Sequence, residues 1–241
     1  MMGFNRPQGI LVSVSLFMNT AHHMMEKTKN YILLGPPGSG KSTQAELLRT
    51  TLHLAHIDIG SELRAEAERE TPFGRQINVI IHQKRELVPD ALVYAVLVEA
   101  LKTVPEEQGI LLDGAPRRLT QVDEIISVFR SFDRPMTQVI FLELSEEASI
   151  ERISKRVLCF GCHRPFILGQ DIDHINERCH VCGGRIAQRK DDTPEGVRKR
   201  FQVFHADTLP VIEQFEKLGQ VIRVDANREP QVIFDDISSK L

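Results

Sequence analysis

The octapeptide Gly35-Pro36-Pro37-Gly38-Ser39-Gly40-Lys41-Ser42 narrows what this chain can fold into more than any other stretch. It stands between a short apolar run, 31–34, and an amphipathic pattern carrying Ala45, Leu48 and Leu52. A turn of the form G-x-x-x-x-G-K-[ST] between a buried strand and a helix points successive backbone N–H groups inward on a phosphate. Gly35, Gly38, Ser39 and Gly40 form that cradle, the helix N-terminus adds partial positive charge, and Lys41 supplies a mobile cation for the β- and γ-oxygens of a nucleoside triphosphate. A hydroxyl at Ser42 or Thr43 is placed to reach Mg2+ directly or through water. Asp113, closing the apolar run 110–112, has the position of a second-strand acid that holds the ion's water shell. Strand, spacing, lysine, hydroxyl and acid all agree, against the bland alternative of a glycine turn with no ligand.

From residue 31 onward, short apolar runs alternate with helical patterns, which predicts parallel strands joined by crossover helices, an α/β fold. Strands are expected at 31–34, 55–59, 110–112, 139–144 and 221–224, enough for a five-stranded doubly wound sheet. A helix is expected over 91–101, another after the N-cap Ser145, and a third from Thr193-Pro194-Glu195, read as cap, first-turn proline and acid, to about His205 or beyond. With 241 residues, 41% of them apolar, the chain can bury one core plus a small inserted module. Residues 157–188 are that module: they hold all four cysteines and show no helical period. The net charge of -3 gives no global positive field for nucleic acid, so an anionic ligand must be held by local clusters. No apolar run is long enough to span a membrane. The segment 10–18 reads as part of an over-extended start, with Met24 or Met25 before the first structural element, in preference to an export signal or an ordinary flexible tail.

Beyond the glycine loop, transfer between polyphosphates needs arginines in a dry site, and the chain carries them at ordered positions. LLDGAPRRLTQ at 111–121, ERISKR at 151–156, RKDD at 189–192 and VRKR at 197–200 follow the loop in sequence. In this order they resemble the signatures of the adenylate kinase family of nucleoside monophosphate kinases, and the likeness covers essentially all of 30–241. The resemblance implies a P-loop kinase core with two mobile appendages, an acceptor-binding insertion at 60–90 and a zinc-ribbon lid at 157–188, beyond a poorly defined extension at 1–29. It implies that Arg64, Gly114 and Arg117 bind the acceptor monophosphate and that Gln121 pairs with its base. It places Arg152 and Arg156 on ATP, and Arg189 and Arg200 on both the acceptor AMP and the transferring phosphoryl group, with Asp191 and Asp192 orienting the arginines. Lys41, Asp113, Arg117, Arg156, Arg189 and Arg200 make up the implied catalytic set. An amide suits adenine's adjacent donor and acceptor, and a guanidinium fork suits a phosphate. Arg49, Arg69 and Arg130 read as surface residues. The chain departs from the family where Ile59 replaces the usual threonine near the acceptor base, Ala115 the usual phenylalanine and Ser42 the usual glycine. Ile59 is expected to pack on a purine edge.

Cys159-x-x-Cys162 and Cys179-x-x-Cys182, with glycines at 161, 183 and 184, have zinc-ribbon spacing. Four thiolates hold zinc tetrahedrally and leave no open position, so a structural ion is expected in a segment too small to bury a core of its own. Disulfides and free thiols are the rival readings; reduced thiols fit the cytoplasmic setting of a nucleotide kinase. His163, His174 and His180 are expected at the surface. Together these features predict reversible transfer of the γ-phosphoryl of MgATP to AMP, by a chain expected to be monomeric and to have no nucleic-acid or membrane partner. The alternatives are a kinase for UMP, CMP or GMP, or a non-enzymatic regulatory protein.

Overall fold

A computed structural model describes residues 29–84, 88–136, 138–162, 164–175, 177–189 and 192–241. The expected over-extended start lies outside the described residues, as do His163 and Asp191. The chain runs β1 (Asn30–Leu34), α1 (Lys41–Thr51), β2 (Ala55–Asp58), α2 (Ile59–Ala67), α3 (Pro72–Asn78), α4 (Asp90–Lys102), β3 (Ile110–Asp113), α5 (Leu119–Ser131), β4 (Gln138–Glu143) and α6 (Glu146–Lys155). After an excursion through β5 (Arg156–Cys159), β6 (Pro165–Ile167) and β7 (Ile186–Ala187), it returns by α7 (Pro194–Val203), α8 (Leu209–Lys217), β8 (Val221–Asp225) and α9 (Pro230–Lys240).

Among the described residues, five strands form an all-parallel sheet in the order β2-β3-β1-β4-β8, the doubly wound α/β architecture predicted from the sequence. Alternate residues serve opposite cores. Ile32, Leu34, Val139 and Phe141 face a core built with α4, α5 and α8, whereas Tyr31, Leu33, Ile140 and Leu142 face one built with α1 and α9. Covering both faces is what makes the strands unbroken apolar runs. Full burial of a side chain such as Leu33 or Leu112 contributes about 1.5–3 kcal/mol relative to exposure. The strand order reverses at β1, so the glycine loop at its carboxyl end opens on the crevice of the sheet.

Each expected strand is present, with shifted ends. Ile59 begins α2 instead of ending β2, because Asp58 Oδ1 accepts the Gly60 N–H at 2.9 Å and caps a helix there. Leu144 lies beyond β4. Leu52 follows α1 and is 37% exposed, while Gln44, Ala45 and Leu48 form the buried face. Gln44 earns its burial by donating to the Pro230 carbonyl at 2.8 Å, which ties α1 to α9. Ser145 and Thr193 cap α6 and α7 by accepting from Ala148 N at 3.2 Å and Gly196 N at 3.1 Å. The helix from Pro194 runs past His205 through a π-helical stretch, Phe204–Thr208, into α8. Arg134, which the sequence did not mark, is buried and donates to the carbonyls of Val104, Pro105 and Gln108, closing the turn between α4 and β3.

Candidate active site

The glycine loop takes the shape its composition allows. Gly38 and Gly40 have φ of 76° and 85°, a region L side chains avoid, and a Cβ on Gly35 would stand 2.6 Å from Ser39 Oγ and 2.8 Å from the Leu142 carbonyl. Lys41 Nζ folds over the loop and donates to the carbonyls of Gly35 at 2.7 Å and Pro36 at 2.9 Å. Burial holds the Lys41 ammonium down to about 8, against the opposing attraction of Asp113. Ser42 and Thr43 are exposed in the first turn of α1. Helix α6 braces the loop: Ser149 Oγ donates to the Pro37 carbonyl at 2.5 Å, and Arg152 reaches the carbonyls of Gly38 at 3.5 Å and Arg228 at 3.4 Å. Arg152 therefore faces the loop despite its mid-helix position.

Asp113, 6% exposed, ends β3 in register with Asp58 on β2. Its Oδ2 lies 3.9 Å from His56 Nε2, a buried nitrogen without a hydrogen-bond partner. His56 escaped the sequence analysis because a histidine inside a strand pattern has no local signature; only the pairing of β2 with β3 brings it to the acid.

A cavity of about 180 Å3 is lined by Ile59, Arg64, Gly114, Arg117 and Gln121, with Leu63 among its apolar walls. Five of the seven residues that the resemblance assigned to the acceptor thus meet in one place, whereas Arg189 and Arg200 do not line this cavity. Arg117 Nε donates to the Gly114 carbonyl at 2.9 Å, and Arg64 Nη2 donates to Ser61 Oγ at 2.8 Å. Gln121 is 4% exposed and engaged at both ends of its amide: Oε1 accepts the Arg117 N–H at 2.7 Å and Nε2 donates to Asp90 Oδ1 at 2.7 Å. Asp90 also accepts from Thr120 Oγ1 at 3.0 Å and from Arg118. Burial pushes the Asp90 carboxyl up, but hydrogen bonds from Gln121, Thr120 and Arg118 outweigh it and hold the group below its ordinary range. Asp90 and Arg118 were missed in the sequence, where the only signal was an acid just ahead of the apolar helix.

The remaining arginines divide. Arg156, at the start of β5, meets Asp192 through Nε at 3.0 Å and Nη2 at 2.7 Å, and Arg200 on α7 donates to the same carboxylate at 2.9 Å. That carboxylate is fully buried. Arg189 is exposed on the segment after β7, its carbonyl accepting the Asp192 N–H at 3.1 Å. Arg49 and Arg69 pair with Glu46 and Glu66 at the surface, and Arg130 is exposed, as the sequence suggested.

Strands β5, β6 and β7 form an antiparallel sheet with a small core of Val157, Phe166, Ile172 and Ile186. Beside it the sulfurs of Cys159, Cys162, Cys179 and Cys182 lie within 4.8 Å of one another. The nearest pairs, Cys159–Cys182 at 3.4 Å and Cys162–Cys179 at 3.7 Å, are too far apart for disulfides and close to the separation of about 3.8 Å expected when four sulfurs sit about 2.3 Å from zinc. A Cβ on Gly184 would come within 2.8 Å of Cys159 Sγ, so glycine is required at the cradle. The backbone N–H of Cys162, with that of Gly161 and against the effect of burial, holds the Cys159 thiol down to about 6, favouring the thiolate a metal needs. His174 and His180 are exposed.

A phosphate-binding loop at the switch point of a parallel sheet, facing an arginine-lined cavity, defines the class: a P-loop phosphotransferase acting between a nucleoside triphosphate and a nucleoside monophosphate. The adenylate kinase family profile matches residues 33–220. The chain is 34% identical over 208 residues to the adenylate kinase of Thermosipho melanesiensis, covering 86% of this chain and 97% of that one. It is 33% identical over 212 residues to that of Methanosarcina acetivorans (88% and 98% covered) and 37% identical over 198 residues to that of Gemmatimonas aurantiaca (81% and 90% covered). The chain belongs to the adenylate kinase family, and ATP:AMP phosphoryl transfer is its expected activity. Among the described residues no helix is long and apolar enough to cross a membrane.

Proposed function

We propose that this chain moves the γ-phosphoryl group of MgATP to AMP, reversibly, giving two ADP, with the residues named above in the following roles. The observation that carries the reading is the convergence of Ile59, Arg64, Gly114, Arg117 and Gln121 on one cavity, whose Arg117 is near enough to Lys41 of the glycine loop to act on its charge. The loop and Lys41 hold the β- and γ-phosphates of ATP, and Arg152 steadies the loop from α6. Arg64 and Arg117 grip the AMP phosphate, whose oxygen attacks the γ-phosphorus as the bond to the β–γ bridging oxygen breaks and ADP leaves. Arg156, Arg189 and Arg200 neutralise the charge spread over the transferring group; positioning and preorganised charge supply most of the acceleration without a dedicated general base. Ser42, Thr43 and Asp113 would hold the Mg2+ that arrives with ATP and its water shell, and the ion would supply positive charge against the phosphates.

The four thiolates would carry a structural zinc ion in the 157–188 module, which closes over ATP, while the 60–90 insertion closes over AMP; both exclude water from the transfer. Ile59 packs against the acceptor purine. ATP and AMP are the partners in this reading, with no nucleic acid, and the enzyme works as a cytoplasmic monomer. The test is a phosphoryl-transfer assay of the metal-replete protein with MgATP against AMP, GMP, CMP, UMP and water, reading the diphosphate products directly. Preference for AMP is expected. Preference for another monophosphate refutes the assigned acceptor, and hydrolysis with no transfer refutes the kinase reading.

A further inference from the structure

A glutamine amide is nearly symmetric in shape but not in chemistry, so its recognition of a base depends on which way it is turned. Adenine offers an exocyclic amine that donates beside a ring nitrogen that accepts, whereas a 6-oxopurine offers the reverse order, a carbonyl that accepts beside an N–H that donates. A glutamine free to rotate its amide by half a turn serves both. Gln121 is not free. Its Oε1 receives the Arg117 main-chain N–H at 2.7 Å, a group that only donates, and its Nε2 gives a proton to Asp90 Oδ1 at 2.7 Å, a group that only accepts when ionised. Turning the amide over would set oxygen against carboxylate and N–H against N–H, losing two hydrogen bonds and making two repulsions in a buried place. Asp90 is itself held by Thr120 Oγ1 at 3.0 Å and by Arg118.

We propose that Asp90 is a specificity-determining positioning residue: it pins the amide of Gln121 in one orientation, so that the acceptor cavity reads a 6-aminopurine monophosphate and rejects its 6-oxo counterpart. Asp90 does this from outside the cavity, through Gln121, without touching the substrate. One N–H and one oxygen lone pair of Gln121 remain to face the base, in a fixed order. The inference rests on the reading of AMP as the acceptor in this cavity.

The test compares kcat and KM for AMP and for inosine monophosphate, which differs from AMP in carrying the reversed donor–acceptor order, with MgATP and full-length protein. In Asp90→Asn the new amide can face either orientation of Gln121, leaving the Arg117 N–H as the remaining group that orients it, and in Asp90→Ser the hydroxyl both donates and accepts while still suiting the first turn of a helix. Each variant should lower the AMP-over-inosine-monophosphate ratio of kcat/KM by about tenfold or more. The change should come mainly through KM, up for AMP and down for inosine monophosphate. Both substrates are read on one preparation, so the ratio is insensitive to the fraction of protein folded. Ratios in both Asp90 variants within about twofold of wild type, or a wild-type enzyme that uses both monophosphates equally, overturn the inference and leave the kinase reading standing. A wild-type enzyme that transfers to neither overturns the acceptor reading and this inference with it.

Discussion

Asp192 places two guanidinium groups on one carboxylate whose side chain is 0% exposed, and Asp192→Asn tests whether that junction organises the arginines proposed to act on the transferring group. The substitution keeps the shape but replaces one accepting oxygen with an NH2 that must face Arg156 or Arg200. Short hydrogen bonds are at stake at 3.0, 2.7 and 2.8 Å to Arg156 and 2.9 Å to Arg200. Removing one partner from a wholly buried ion pair costs about 3–5 kcal/mol. Here the arginine side chains keep 23% and 29% of their surface in solvent, so water takes over part of the lost bonding. The discounted loss is about 2–3 kcal/mol. For a chain of this size that lowers the melting temperature by about 4–12 °C. The released guanidinium groups regain rotamer freedom that must be lost again on binding phosphate, so kcat/KM should fall about 10- to 100-fold. Differential scanning calorimetry and the coupled kinase assay read the two effects. A melting temperature within about 1 °C of wild type together with kcat/KM within about twofold would refute the reasoning, because a carboxylate that organised both arginines could not be lost so cheaply.

Lys41, held down to about 8 by burial, is charged below that pH in the free protein and neutral above it, and phosphate binds the charged form. ATP affinity should therefore be flat below about pH 8 and fall as pH rises through it, with proton uptake on binding; titration calorimetry in buffers of different ionisation heat measures this, and a constant Kd from about pH 7 to 9.5 contradicts it. Lys41→Ala should abolish this dependence and cripple turnover while leaving the circular dichroism spectrum unchanged. The Cys159, Cys162, Cys179 and Cys182 cluster should carry one zinc ion per chain, and Cys162→Ser or chelation should lower the melting temperature while ATP binding at the loop persists. Metal analysis showing well below one zinc per chain would sink that assignment.

What was legible in the sequence was what lies close together along it. The loop at 35–42 reads as a phosphate cradle because its glycines, its lysine and the flanking strand and helix are contiguous, and backbone conformation there is a local property. The cysteine pairs are legible for the same reason: each knuckle is four residues long. Strand positions followed from apolar runs, though their ends did not, since the helix of Ile59 depends on which group Asp58 happens to cap. The place of Gln44 on the buried face of α1, beside the expected Ala45 and Leu48, escaped as well, because only the arrival of α9 lets Gln44 bury its amide.

Sequence alone determined the fold class, the loop that would hold a triphosphate and the four cysteines that cluster, and the resemblance supplied the candidate acceptor residues. Tertiary structure decided the strand order, which sets β3 between β1 and β2 and so places His56 of β2 near Asp113. It also decided that Arg156 and Arg200 share Asp192 and that Gln121 is oriented by Asp90, residues 31 positions apart. Periodicity reports only that a face is covered. Which groups meet beneath the cover depends on how layers pack and on which buried polar atoms must find partners, and both are settled between residues far apart in the chain.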